Sequence, residues 1–108
     1  MVLRILQMDL NNEKTHGIIY RDYDWIKDDF DINLYSVVYE DNNFNHINPL
    51  TNGPVEEGIN DLLEYVFRIF NIGNKPENYH GHSLSVSDIV EIDGVKYYVD
   101  GFGFVKIS

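Results

Sequence analysis

Ile89-Val90-Glu91-Ile92-Asp93-Gly94-Val95-Lys96-Tyr97-Tyr98-Val99 is the stretch on which the fold turns. Two runs rich in β-branched and aromatic residues flank an Asp-Gly pair, and Asp-Gly suits the positive-φ positions of a two-residue hairpin turn. The expectation is an antiparallel hairpin. Downstream, Gly101 and Gly103 flank Phe102, and Phe104, Val105 and Ile107 form a closing strand that ends at Ser108. Upstream, the text reads as strand back to Tyr79. Leu84, Val86, Val90 and Ile92 keep a two-residue alternation that puts Asp88 on the apolar face, where a lone carboxylate needs partners. Two readings compete there. One is a tight turn at Ser87-Asp88 whose carboxylate accepts backbone N–H groups, and the other is a buried functional carboxylate.

Before the hairpin lies the second strong signal. Ile59, Leu62, Leu63, Val66, Phe67 and Phe70 recur at the three-and-four spacing that gathers all six on one helix face, and that face must be buried. Asn52 or Gly53 is placed to cap this helix, Pro54 suits its first turn, Glu56 and Glu57 complement its positive end, and Gly73 stops it. Phe44 to Pro54 reads as a loop leading in. Leu34 to Glu40 is a strand bounded by Asn33 and by Asp41-Asn42-Asn43, and Val2 to Leu6 is another, stopped by the polar run from Asp9 to Lys14. Gly17 opens Ile18-Ile19-Tyr20, a short strand candidate able to pair back on the first. Arg21 to Asp31 reads as one or two helical turns. The fold class is therefore α+β, a small curved antiparallel sheet packed on one main amphipathic helix, in a single domain spanning 1–108.

Composition narrows the function. The chain has 108 residues, 44% of them apolar, with eight Tyr, six Phe and one Trp, enough to fill one core but not two. A formal charge of -10 makes adhesion to nucleic acid or anionic lipid electrostatically uphill and favours a cationic protein surface as partner. With no cysteine, disulfides, thiolate metal sites and cysteine nucleophiles are excluded. No apolar run approaches a membrane span and Met1 to Leu10 lacks a secretory signal, so a cytoplasmic location is expected.

Phe70-Asn71-Ile72, Pro76-Glu77-Asn78-Tyr79-His80, Gly81-His82-Ser83-Leu84-Ser85-Val86-Ser87-Asp88-Ile89-Val90 and Tyr97-Tyr98-Val99-Asp100-Gly101-Phe102-Gly103-Phe104 together resemble the YodL-like family. Residues 81–88 are the most distinctive part. Tyr35-Ser36-Val37-Val38-Tyr39-Glu40 and Leu62-Leu63 extend the resemblance over the chain from about Asn33 onward, and the first thirty residues match only loosely. Gly101, where a small hydroxyl residue is common, and the short turn at Asp93-Gly94 depart from the pattern. The resemblance implies a domain of bacterial mobile elements and phages with no agreed enzymatic activity. For a small free-standing acidic member it implies a counter-defence factor of anti-CRISPR or antirestriction type.

Two sets of residues are candidates for function. Asp22, Asp24, Asp28, Asp29 and Asp31 fall within ten residues and surround Trp25, a mixture of charge and aromatic surface found at interface centres. Duplex DNA carries about one negative charge per 1.7 Å of axis, so such a segment can substitute for phosphates in a basic groove. Glu40, Asp41, Glu56, Glu57, Asp61 and Glu64 add a second acidic group. The other set is the block His80, Gly81, His82, Ser83, Ser85, Ser87 and Asp88. It contains the residue types of a hydrolytic triad but no nucleophile elbow, and its histidines, with His16, His46 or Asp88, have only a weak metal-ligand spacing. On a strand, Ser83, Ser85 and Ser87 would share one solvent-facing side, and His82 would anchor the turn through a backbone carbonyl or the Ser85 hydroxyl.

The expectation is a non-enzymatic inhibitor with no cofactor and no metal. Its partner is a basic host nuclease such as a CRISPR effector, bound through the aspartate-rich segment, with no direct nucleic acid and no membrane contact. Two alternatives stand beside it: a regulatory module that binds a host cytoskeletal or metabolic protein, and a small hydrolase or metalloenzyme built on His80, His82, Ser85 and Asp88.

Overall fold

The computed structural model describes residues 1–44, 47–48, 53–54, 58–71 and 76–107. Its strands are β1 (Leu3–Met8), β2 (Tyr35–Asp41), β3 (Ile47–Asn48), β4 (Gly53–Pro54), β5 (Ile89–Ile92), β6 (Val95–Asp100) and β7 (Gly103–Lys106), and its α-helices are α1 (Tyr23–Ile26) and α2 (Ile59–Asn71). Five strands form one curved antiparallel sheet in the order β2-β1-β5-β6-β7, while β3 and β4 pair separately. The chain is thus α+β, as its periodicities imply. The β5–β6 hairpin closes on Ile92 opposite Val95, and Asp93 (φ 48) and Gly94 (φ 87) both sit in the left-handed region that the two-residue turn requires.

Both faces of the sheet are covered. On one, Leu3, Ile5, Val90, Ile92 and Val99 pack under Leu62, Leu63, Val66 and Phe70 of α2. On the other, Leu6, Met8, Ile89 and Tyr98 pack under Ile18, Ile26 and Leu34, with Tyr23, Phe30 and Tyr35 at the margin. The aromatics of the acidic segment therefore divide: Tyr23 and Phe30 pack against Tyr98, whereas Trp25 stays 63% exposed.

Several expectations are corrected. Ile18-Ile19-Tyr20 is a succession of turns, not a strand. Both edges of β1 are already occupied, by β2 and β5, and the Thr15 carbonyl accepts from the amides of Ile18 and Ile19. Arg21 to Asp31 contains one helical turn, α1, within the one or two expected. Ile59 lies on the apolar stripe by spacing but is exposed, because it opens the helix beyond the edge of the packed layer. Residues 80–88 are irregular rather than strand. The loop into α2 contains the short β3–β4 pairing, so Gly53 and Pro54 form β4 ahead of a helix that starts at Ile59 and neither caps nor opens it, and the readings at His46, Asn52, Glu56, Glu57 and Gly73 lie outside the described residues.

A bulge in β2 ties the sheet to the segment after α2. Ile5 pairs with Tyr39 and Leu6 with Val37, so Val38 is the extra residue of β2, and its carbonyl accepts from the His80 amide at 2.9 Å. On the sheet, Arg4 bridges Glu40 and Glu91, and Lys96 reaches Glu91 at 3.0 Å, a ladder of alternating charge that follows the strand register. Glu91 is largely buried, which by itself would raise its pKa, but hydrogen bonds from Arg4 and Lys96 outweigh burial and hold it low.

Candidate functional site

The block from His80 to Asp88 joins three parts of the fold. The Phe70 carbonyl in the last turn of α2 accepts from the Leu84 amide at 2.9 Å, and Asn71 Nδ2 donates to the Leu84 carbonyl at 2.7 Å, so the block satisfies helix-end groups that would otherwise lack partners. The Ser87 amide donates to the Val99 carbonyl on β6, and the Tyr35 hydroxyl at the start of β2 donates to the Ser87 carbonyl at 2.6 Å. Ser87 is fully buried with φ 83, and its Oγ accepts from the amide of Tyr20, which itself has φ 64. Two non-glycine residues in the left-handed region thus hold each other in place, and such strain persists only where the surroundings enforce it.

Gln7 on β1 is the centre of the polar layer. It is 3% exposed, its Oε1 accepts from the His82 amide, and its Nε2 donates to the His82 carbonyl at 2.9 Å and to Asp88 Oδ2 at 3.0 Å. Tyr79 adds a hydroxyl donation to the same His82 carbonyl at 2.6 Å. Asp88 Oδ2 also accepts from the Ser85 amide at 2.8 Å. The turn reading of Asp88 holds, since its carboxylate closes a turn through the Ser85 backbone amide, and the side chain is completely buried. Burial pushes its carboxyl up to about 7, against the pull of the Ser85 and Gln7 hydrogen bonds, and desolvation likewise raises Tyr35, Tyr79 and Tyr98.

Gly81 is required by close approach. A Cβ there would collide with Gln7 Oε1 and lie 3.0 Å from Val38 Cγ2. A free glutamine would swing aside, but this one is pinned at both ends of its amide. Gly81→Ala is expected to lower stability by about 2 kcal/mol by displacing Gln7 and unpairing buried polar groups, and a chemical denaturation curve with unchanged slope checks it.

The serines are not arranged as a strand face. Ser87 is buried, Ser83 and Ser85 are half-buried, and the Ser85 hydroxyl donates to the Ser83 carbonyl. His82 Nδ1 is bonded to the Ser83 carbonyl at 2.8 Å, while Nε2 faces Asp88 Oδ1 at 3.9 Å, and neither of these last two atoms has a hydrogen-bond partner. No serine hydroxyl of the block is bonded to a His82 ring nitrogen, so the residue types of a triad are present without its geometry. His80 is exposed and points to no cluster, and among the described residues no three His, Asp or Glu converge as metal ligands.

The acidic segment lies elsewhere, at the end of the sheet where β6 turns into β7. Asp22 Oδ1 accepts from the Gly101 amide and Asp100 Oδ1 accepts from the Tyr23 amide, each at 2.8 Å, so α1 is tied to the hairpin tip by reciprocal bonds. Asp22 is thus a tether as well as a surface charge, and Asp31 caps the short helical turn at Ile32–Leu34 through the Asn33 amide. Asp24, Asp28 and Asp29 are exposed, Asp24 within 3.8 Å of Lys27, and the Arg21 guanidinium stands 4.7 Å over the Trp25 ring. Phe102, between Gly101 and Gly103 at the tip, is fully exposed. Its context of two glycines gave no apolar period, so only the turn geometry reveals it as surface.

No helix among the described residues is long and apolar enough to cross a membrane. Comparison with protein families matches residues 2–108 to the model described as YodL-like domain, which includes the first thirty residues that read only loosely as such. No curated protein and no solved structure matches the chain.

Proposed function

We propose, from the premise that this chain belongs to the family of YodL-like domains, that it is a non-catalytic inhibitor from a mobile element that binds the basic, nucleic-acid-handling surface of a host defence nuclease. The observation that carries the reading is the exposed Trp25 among Asp24, Asp28 and Asp29, on a helical turn that hydrogen bonds to the β6–β7 tip hold in place. A Trp this exposed contributes little to the core, and preordered aromatic surface beside charge is the composition of binding hot spots. The net charge of -10 steers such a surface toward a cationic groove.

The test is DNA cleavage by a purified CRISPR effector and by a purified restriction nuclease, titrated with this protein at low and high salt. Inhibition that weakens as salt rises supports the reading. Asp28→Lys with Asp29→Lys is expected to raise the inhibitory concentration about tenfold or more with an unchanged melting temperature, since both side chains lie on the exposed surface. Unchanged inhibition by that double variant removes the segment from the mechanism.

Phe102 favours a second reading, a regulatory module that docks on a host protein through the closing hairpin and not through charge. Binding that persists at high salt and is lost in Phe102→Ser selects it over the first.

A further inference from the structure

We infer that His82 and Asp88 hold a single proton between them, carried on Asp88 Oδ1 and offered to His82 Nε2, and that this shared proton latches the 80–88 block onto the sheet. A carbonyl oxygen only accepts, so the 2.8 Å contact from His82 Nδ1 to the Ser83 carbonyl puts a hydrogen on Nδ1 and leaves Nε2 as the ring atom to be matched with Asp88. Gln7 Nε2 also lies 3.4 Å from Nδ1, a donor facing a donor, and its two hydrogens are shared instead among the His82 carbonyl at 2.9 Å, Asp88 Oδ2 at 3.0 Å and the Tyr79 hydroxyl at 3.1 Å. Asp88 Oδ2 is further engaged by the Ser85 amide, so Oδ1 alone is left over. The two leftover atoms face each other at 3.9 Å, buried and without partners. With no proton there, two lone pairs oppose one another where water does not reach. One proton satisfies both, and closing the remaining roughly 1 Å to hydrogen-bond length needs only small side-chain rotations.

The surroundings keep the proton on the carboxyl. Asp88 is faced by Gln7 from β1, by Tyr35 from the start of β2, by Tyr98 from β6, and by Tyr79 and His82 from its own side, and among the described residues it makes no ion pair with a lysine or arginine. His82 is faced by Gln7, Tyr79 and Asp88, and by the Tyr20 ring edge-on at 5.9 Å. Burial holds the Asp88 carboxyl at about 7 against its ordinary 3.8, so the stabilisation it lends is whole below pH 3.8 and is lost as pH rises through about 7. Losing the proton sets a buried charge against the His82 lone pair. That pushes the two side chains apart and loosens the seat of Tyr20, whose ring packs edge-on against His82 and whose amide is held by Ser87, while the charged carboxylate keeps the Ser85 amide.

Asp88→Asn mimics the protonated state without titrating. Its carbonyl oxygen takes the Ser85 and Gln7 hydrogens, and its amide donates to His82 Nε2. The melting temperature of the unaltered protein is expected to fall between about pH 5 and about pH 8 and to level off above. That of Asp88→Asn should stay level over the same range and lie above the unaltered protein at the alkaline end. An Asp88→Asn protein that is less stable by the same amount at every pH overturns the inference, because the carboxylate would then be needed in its charged form. Long-range nitrogen–proton spectra of the unaltered protein give an independent readout should the variant not fold. A neutral His82 ring protonated on Nδ1 near neutral pH is the expected result, and an imidazolium or an Nε2-protonated ring overturns it.

Discussion

Phe70→Ala is expected to lower the free energy of unfolding by about 3–5 kcal/mol. Phe70 is 1% exposed at the last turn of α2, stacked on Tyr79 at 5.3 Å and tilted against Tyr39 at 5.0 Å. Alanine keeps the backbone acceptor for the Leu84 amide, so the loss is the transfer of a ring out of water together with the void it leaves. The effect reaches the polar block because Tyr79, which loses its stacking partner, also holds the His82 carbonyl. Urea unfolding measures the change, and the midpoint should shift with little change in slope. A loss below about 1 kcal/mol would mean that Tyr39 and Tyr79 collapse into the space.

Gln7→Ala is expected to cost about 2–4 kcal/mol, more than a polar side chain on a strand normally contributes. The His82 amide would lose its acceptor and Asp88 Oδ2 one of its two donors, both in a buried layer, while the Tyr79 hydroxyl would still serve the His82 carbonyl. Because the Gln7 hydrogen bond pulls the Asp88 pKa down, its removal lets burial raise that carboxyl further. Thermal denaturation across pH checks both parts. Gln7→Glu serves as the companion variant, since a second carboxylate beside Asp88 should make the loss grow as pH rises.

The sheet's central hairpin and the main helix were legible because both rest on local chemistry. Asp93-Gly94 admits a turn with two positive φ values that few other pairs tolerate, and Leu62, Leu63, Val66 and Phe70 write their burial in a 3.6-residue period. Asp88 was legible as an anomaly for the same reason, a carboxylate in an apolar alternation. Ile18-Ile19-Tyr20 misleads because strand-forming residues became turns once both edges of β1 were taken by more distant strands. Residues 80–88 mislead because a two-residue alternation is equally satisfied by an irregular segment that pins alternate groups to its neighbours.

The acidic segment shows the division within a single stretch. Its composition alone established a dense negative charge with aromatics among it. That Tyr23 and Phe30 turn inward to Tyr98 while Trp25 stays out, and that Asp22 tethers the Gly101 amide while Asp28 and Asp29 are surface charges, was decided by how α1 and the turns after it lie against the sheet.

By itself, then, the sequence determined the α+β class, the hairpin, the helix face and the charge of this protein, since each depends on residues within a few positions of one another. Only the tertiary structure decided that Gln7, His82 and Asp88 form one buried polar layer and that Phe102 stands in solvent beside the acidic segment. Gln7 and Asp88 are eighty-one positions apart and meet only because β1 pairs with β5. No periodicity encodes such a meeting, because the energy that drives it, the pairing of polar groups deprived of water, exists only after the chain has closed.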